Sequence, residues 1–218
     1  MRRERDYRSI VMLPLVANAG DQGAGGRPAR DELLLQHRYL AVISCVALLP
    51  AVAAAAEFAL GSTELTSGGR FLARHVYNGF GCSGGNVSPA LAWSDAPPGT
   101  KSFALTLFDP DAPTGTGWWH WVMFDIPATV TQLPAGAGAD AGAAAPRGAM
   151  QTSTDFGKPG FGGPCPPAGD KPHRYIFTLY ALKVEKLGAD PAATAAMIGF
   201  MLNANAIQKT SFTVYYGR

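Results

Sequence analysis

Charge is what this sequence has least of. Charged residues make up 16% of the 218, and the formal net charge is only +2. Even that excess is misplaced for a nucleic-acid binder. Residues 1–56 carry seven Lys or Arg against five Asp or Glu, whereas residues 57–218 carry eleven of each. A neutral domain lacks the basic face that grips a phosphodiester backbone, so no nucleic-acid partner is expected. No pair of potential metal ligands has the tight spacing of H-E-x-x-H, and no serine is read as a nucleophile elbow of the G-x-S-x-G kind. Internal repeats are absent. Helical periodicity is confined to one stretch near the C-terminus.

What the sequence does have is 47% hydrophobic residues, interrupted by 26 Gly and 17 Pro at turn-like positions. That pattern suits many short strands and loops better than a helical bundle. Strand character is read at Phe71–Tyr77, leading into an Asn78-Gly79 turn, and at Ser102–Phe108, which ends at an Asp-Pro turn. It recurs at Trp119–Ile126, His173–Val184 and Phe212–Tyr216. In His173–Val184 both alternating sets are largely apolar, so that strand is expected to be central and covered on both faces. One helix is expected over Ala192–Ile207, with Asp190-Pro191 as N-cap and first-turn proline. Gly199 weakens it, and Asn203 and Asn205 point to an end nearby. Gln132–Met150 reads as a loop.

An export signal precedes the domain. Arg38 forms a positive flank, Leu40–Val52 an apolar core, and Ala54-Ala55-Ala56 an A-x-A cleavage site. The expected organisation is an extension or over-long start at 1–37, a signal peptide at 38–56 and one domain at 57–218. Translation from near Leu33–Leu35 would leave an ordinary signal peptide. Val42-Ile43-Ser44-Cys45 looks like a lipoprotein box, but too little apolar sequence precedes Cys45. The expected location is periplasmic or secreted, with no stable membrane anchor in the mature form.

Three stretches carry candidate chemistry. Asp109-Pro110-Asp111-Ala112-Pro113 holds two carboxylates on a proline-stiffened turn. In Trp118-Trp119-His120-Trp121, strand alternation puts Trp119 and Trp121 on one face and His120 on the other. Gly163-Pro164-Cys165-Pro166-Pro167-Ala168-Gly169 leads into His173-Arg174-Tyr175 and presents backbone N–H groups and a histidine rigidly. Taken alone, the first is also what a capped turn looks like, and the second a core histidine.

Together with Gly81-Cys82-Ser83-Gly84-Gly85-Asn86-Val87-Ser88-Pro89 and Trp93, and with Thr114-Gly115-Thr116-Gly117, these stretches resemble the phosphatidylethanolamine-binding protein family. The likeness is to its bacterial branch, often called Raf kinase inhibitor-like proteins, and covers roughly Phe71 to Arg218. It implies a mainly β fold, an antiparallel β-sandwich with peripheral helices, and a small pocket for phosphate-like anions or phospholipid head groups. By position, the pocket walls would be Asp109, Asp111, His120, Pro166, Pro167, His173 and Tyr175. The two aspartates are assigned to orienting the histidines and raising their pKa values, so that imidazolium groups attract the anion.

The resemblance also brings the loops of Cys82 and Cys165 toward the pocket end. With Cys45 lost in the signal peptide, these two cysteines are expected to form a disulfide. The expected role is binding rather than catalysis, without cofactor or resident metal. A hydrolase or a metal site built on the Asp/His cluster is the alternative. A protein partner and a homodimer are left open.

Overall fold

The computed structural model describes residues 56–139, 144–190 and 192–218. The expected extension and the expected signal peptide up to Ala55 lie outside these residues, as does Pro191. In chain order the elements are β1 (Ala59–Gly61), a 3-10 turn (Ala73–His75), β2 (Asn78–Gly79), β3 (Cys82–Ser83), β4 (Leu91–Ser94) and β5 (Ser102–Asp109). There follow β6 (Trp118–Pro127), β7 (Gln132–Leu133), β8 (Met150–Gln151), β9 (His173–Leu182), α1 (Ala195–Asn205) and β10 (Ala206–Tyr216).

The fold is mainly β, with antiparallel sheets and few helices. The large sheet has the order β10-β9-β5-β6-β8, the small one β1-β4-β7, and β2 and β3 form a separate hairpin. β5 is flanked by β9 and β6, and nearly all of its eight residues are buried, as a near-continuous apolar strand requires. Between the two sheets Phe58, Leu91, Trp93 and Leu133 meet Phe103, Leu105, Trp121, Met123 and Phe177. On the other face of the large sheet, Ala104, Val122, Phe124, Tyr180 and Leu182 pack against Ile198 and Leu202 of α1. Burying a Leu, Ile or Phe is worth about 1.5–3 kcal/mol each, so these two clusters hold the layers together.

Several local expectations give way to this packing. β9 is covered on both faces only toward its C-terminal end, and Ile176 and Thr178 are half-buried. Phe71–Tyr77 is not a strand, because Phe71 docks into the core and the chain then turns through Ala73–His75. The hairpin turn lies at Phe80-Gly81, and Asn78-Gly79 forms the paired strand β2. The helix starts later than expected. Its cap is Thr194, whose hydroxyl accepts the Met197 N–H at 3.2 Å, while Asp190 caps the preceding turn through the Ala192 N–H at 2.7 Å. It ends at Asn205, and Ile207 already belongs to β10. Gly199 has a packing reason: a Cβ there would lie 3.3 Å from the Trp119 ring.

Candidate functional site

A β-bulge makes the site possible. Leu107 of β5 pairs with Trp121 and Phe108 with Trp119, which leaves His120 as the extra residue of β6. Bulges re-aim side chains, and this one breaks the expected alternation. Trp121 enters the core between the sheets, while Trp119 packs on the α1 side. The two tryptophans therefore do not share a face. His120 turns toward the end of the sheet, where its ring meets Tyr175 edge-on at 5.1 Å and Phe156 at 5.2 Å.

His120 and Tyr175 lie in the wall of a cavity of about 170 Å³. Asp109, Pro166, Pro167 and His173 also line it, and Phe80, Trp118 and Phe156 add an aromatic rim. Cys165 lines it too, with its sulfur at bonding distance from that of Cys82, 2.07 Å. Ser83 falls within Gly81-Cys82-Ser83-Gly84-Gly85, which matches G-x-S-x-G in letters. It lies in the β2–β3 hairpin with no helix after it, and it does not line this cavity.

Asp109 is fully engaged. One carboxylate oxygen accepts the N–H groups of Asp111 and Ala112 at 2.8 and 3.1 Å, and the other meets His173 Nδ1 at 2.8 Å. The second nitrogen of His173 faces Asp170 at 3.4 Å. Asp111 is not part of the cavity wall. It turns outward and accepts from the Arg174 guanidinium at 2.6 and 2.9 Å and from the Arg174 N–H at 2.8 Å. That pairing holds its carboxyl below the usual carboxylate range. The two aspartates thus face two successive residues of β9, one inside and one at the surface.

His120 also departs from expectation. Its Nδ1 lies 2.7 Å from the Gly162 carbonyl, which can only accept, so Nδ1 carries the proton and Nε2 is an acceptor. Burial lowers its pKa from 6.5 to about 4, outweighing the raising effect of the Gly162 bond and of Asp109. Burial therefore disfavours the imidazolium form of His120 at neutral pH. Tyr175 is buried, and its hydroxyl has no hydrogen-bond partner among the described residues. Burial, and after it the charge of Asp109, raises its pKa far above the ordinary value. The site therefore offers a neutral acceptor at His120 and a neutral donor at Tyr175, inside an aromatic wall.

A family model described as phosphatidylethanolamine-binding protein matches residues 61–217. This chain belongs to the phosphatidylethanolamine-binding protein family. YbcL of Escherichia coli K12 is 52% identical over 177 residues, which cover 81% of this chain and 97% of that protein. The crystal structure of E. coli YbcL, described as a new member of the mammalian family, aligns with a TM-score of 0.73 at 54% identity, covering 75% of this chain and 99% of that one. LppC of Mycobacterium tuberculosis H37Rv, a lipoprotein by its name, is 34% identical over 182 residues, 84% of this chain and 81% of that protein.

Sequence reasoning missed the aromatic rim. A signal for Phe80 existed: a large apolar residue between two glycines at a hairpin tip. Phe156 lies in the Thr154–Gly157 turn and gave none. Arg218, which donates to the Pro166 carbonyl at 2.7 Å and to the Gly81 carbonyl at 3.0 Å, was likewise unflagged.

Proposed function

We propose that this protein is an exported ligand-binding member of its family, whose cavity takes a phosphate-like anion or a phospholipid head group. The observation that carries this reading is the buried Tyr175 hydroxyl without a partner among the described residues, on a residue that lines one small cavity together with His120. A buried hydroxyl left unpaired costs about 1–3 kcal/mol, and a bound ligand oxygen removes that cost. A phosphate group matches both atoms. A P–O oxygen accepts from Tyr175, and a P–OH donates to His120 Nε2.

Electrostatics do not oppose the anion. The charge of Asp109 is spread over His173 and two backbone N–H groups, and that of Asp111 over Arg174. Binding rather than turnover is the reading, because the cavity presents no activated nucleophile. Export through the signal at 38–56 fits the LppC likeness, and an oxidising compartment fits a Cys82–Cys165 disulfide.

Titration calorimetry with inorganic phosphate and with phosphoethanolamine tests the site. His120→Ala and His173→Ala should each weaken binding by about tenfold or more, since a hydrogen bond to a charged group is worth about 1.5–3 kcal/mol. Unchanged affinity in both variants would place the site elsewhere.

A further inference from the structure

The β2–β3 hairpin breaks a local rule at its tip. The two loop residues, Phe80 and Gly81, both have positive φ, 55° and 82°, the signature of a type I′ turn. The first position of such a turn favours Asn, Asp or Gly, and a large aromatic side chain is strained there. Asn78-Gly79 lies two residues earlier and would have suited the turn. The turn is instead made two residues later, at the expense of a phenylalanine in the left-handed region. That phenylalanine is also 66% exposed. Neither the strain nor the exposure serves the turn, and such violations mark functional positions.

The tip is also fastened from three sides. The Arg218 guanidinium donates to the carbonyls of Phe80, Gly81 and Pro166 at 3.3, 3.0 and 2.7 Å. Cys82, next to the tip, sits at bonding distance from Cys165, which lines the cavity. The Phe80 ring lies parallel to that of Phe156, with centroids 5.9 Å apart and planes at 15°, and leans on Tyr77 at 5.4 Å. Phe80 is therefore a fixed wall rather than a swinging one. Both Phe80 and Phe156 border the cavity that ends in His120 and Tyr175.

We propose that Phe80 is the specificity-determining residue of this cavity, and that the ligand is a small phosphomonoester whose ester carries a flat apolar group lying against Phe80 and Phe156. The inference rests on the anion-binding reading above and deepens it. The phosphate end meets Tyr175 and His120, both buried residues of the cavity lining. The ester substituent then lies toward the exposed part of the lining, where Phe80 is stacked on Phe156. Stacking on a pre-positioned ring gains affinity because no side chain has to be ordered on binding.

The test compares inorganic phosphate, phosphoethanolamine and phenyl phosphate by calorimetry on the folded, oxidised protein. In the wild type, phenyl phosphate should bind roughly tenfold tighter than either of the others. In Phe80→Ala that preference should fall to about one, and Phe80→Leu, which keeps apolar area without a flat face, should lie between. Melting curves establish that both variants are folded, as expected for an exposed side chain. Equal affinities for the three probes in the wild type would overturn the inference and leave the anion site standing. So would a preference that survives Phe80→Ala. Binding to lipid vesicles that Phe80→Ala abolishes, with no preference for phenyl phosphate, would overturn it in favour of a membrane-inserting tip. No binding of any probe would overturn the anion-binding reading itself.

Discussion

Asp109 Oδ2 and His173 Nδ1 lie 2.8 Å apart, with both side chains buried. The pair joins the end of β5 to the start of β9, and through the second oxygen of Asp109 it also caps the turn that follows. One carboxylate therefore holds two elements and one loop of the cavity.

Removing Asp109 should be more costly than removing a surface carboxylate. Asp109→Ala leaves the His173 nitrogen and two backbone N–H groups without their acceptor, for an expected loss of about 2–4 kcal/mol. A double-mutant cycle with His173→Ala, read from urea unfolding, should give a coupling of about 1.5–3 kcal/mol. Additive losses would mean that the contact contributes nothing of its own.

Acidification should destabilise the protein before its carboxylates titrate. The His120 pKa is lowered from 6.5 to about 4 in the folded state, chiefly by burial. Between those values the unfolded chain binds the proton and the folded chain does not. The contribution is therefore complete above about pH 6.5 and is lost as pH falls toward 4, on the order of 3 kcal/mol in all. His75, also lowered by burial and with no partner for its Nε2 among the described residues, acts in the same direction. Unfolding free energies between pH 7 and 4 should show this slope, and His120→Asn should flatten most of it. An unchanged slope in the variant would rule out His120 as its source.

The cavity was legible where chemistry and position coincide, and obscure where tertiary packing overrides period. Asp109, His120, Pro166, Pro167, His173 and Tyr175 could be named because the short motifs that carry them resemble those of the family. Asp111 could not be separated from Asp109, since only the fold shows that Arg174 lies within reach of one and His173 of the other. The direction of the His120 pKa was misread for a related reason. A neighbouring carboxylate is visible in sequence, but complete burial of a bulged residue is not. Phe71–Tyr77 has strand-forming residues, yet Phe71 gains more as a core side chain than as a rung of a ladder. The late start of α1 reflects a choice among caps that propensity alone does not rank.

Export should leave a new N-terminus at about Glu57, because the A-x-A pattern follows an apolar core. N-terminal sequencing of protein recovered from the cell envelope or medium checks this. A lipid-modified Cys45 terminus would move the reading to the lipoprotein route suggested by LppC, and an intact Met1 would remove export altogether.

The Cys82–Cys165 pair should be oxidised in the mature protein and should contribute measurably to stability. The two residues are 83 apart in sequence, and closing a loop of that size constrains the unfolded chain by about 4–5 kcal/mol in the entropy model, with measured gains often smaller. Cys82→Ser with Cys165→Ser should lower the urea midpoint and also weaken phosphate binding, since Cys165 borders the cavity. Alkylation of unreduced protein at both thiols would refute the bridge.

Tyr175→Phe separates binding from stability more cleanly than any other substitution at the site. The hydroxyl is buried without a partner among the described residues, so the folded protein bears its desolvation cost and receives no bond in return. Deleting one oxygen removes that cost and leaves the ring, which packs edge-on against His120 at 5.1 Å and Phe71 at 5.4 Å. Stability in the absence of ligand should therefore stay level or rise, by up to about 1–2 kcal/mol. Anion affinity should move the other way, falling by about tenfold as the hydroxyl donor is lost. Urea unfolding and calorimetry on the same preparation read the two signs together. A destabilised variant would mean that the hydroxyl makes a hydrogen bond in the ligand-free protein and would sink the first half of the prediction. Unchanged affinity would mean that the anion does not reach the Tyr175 hydroxyl.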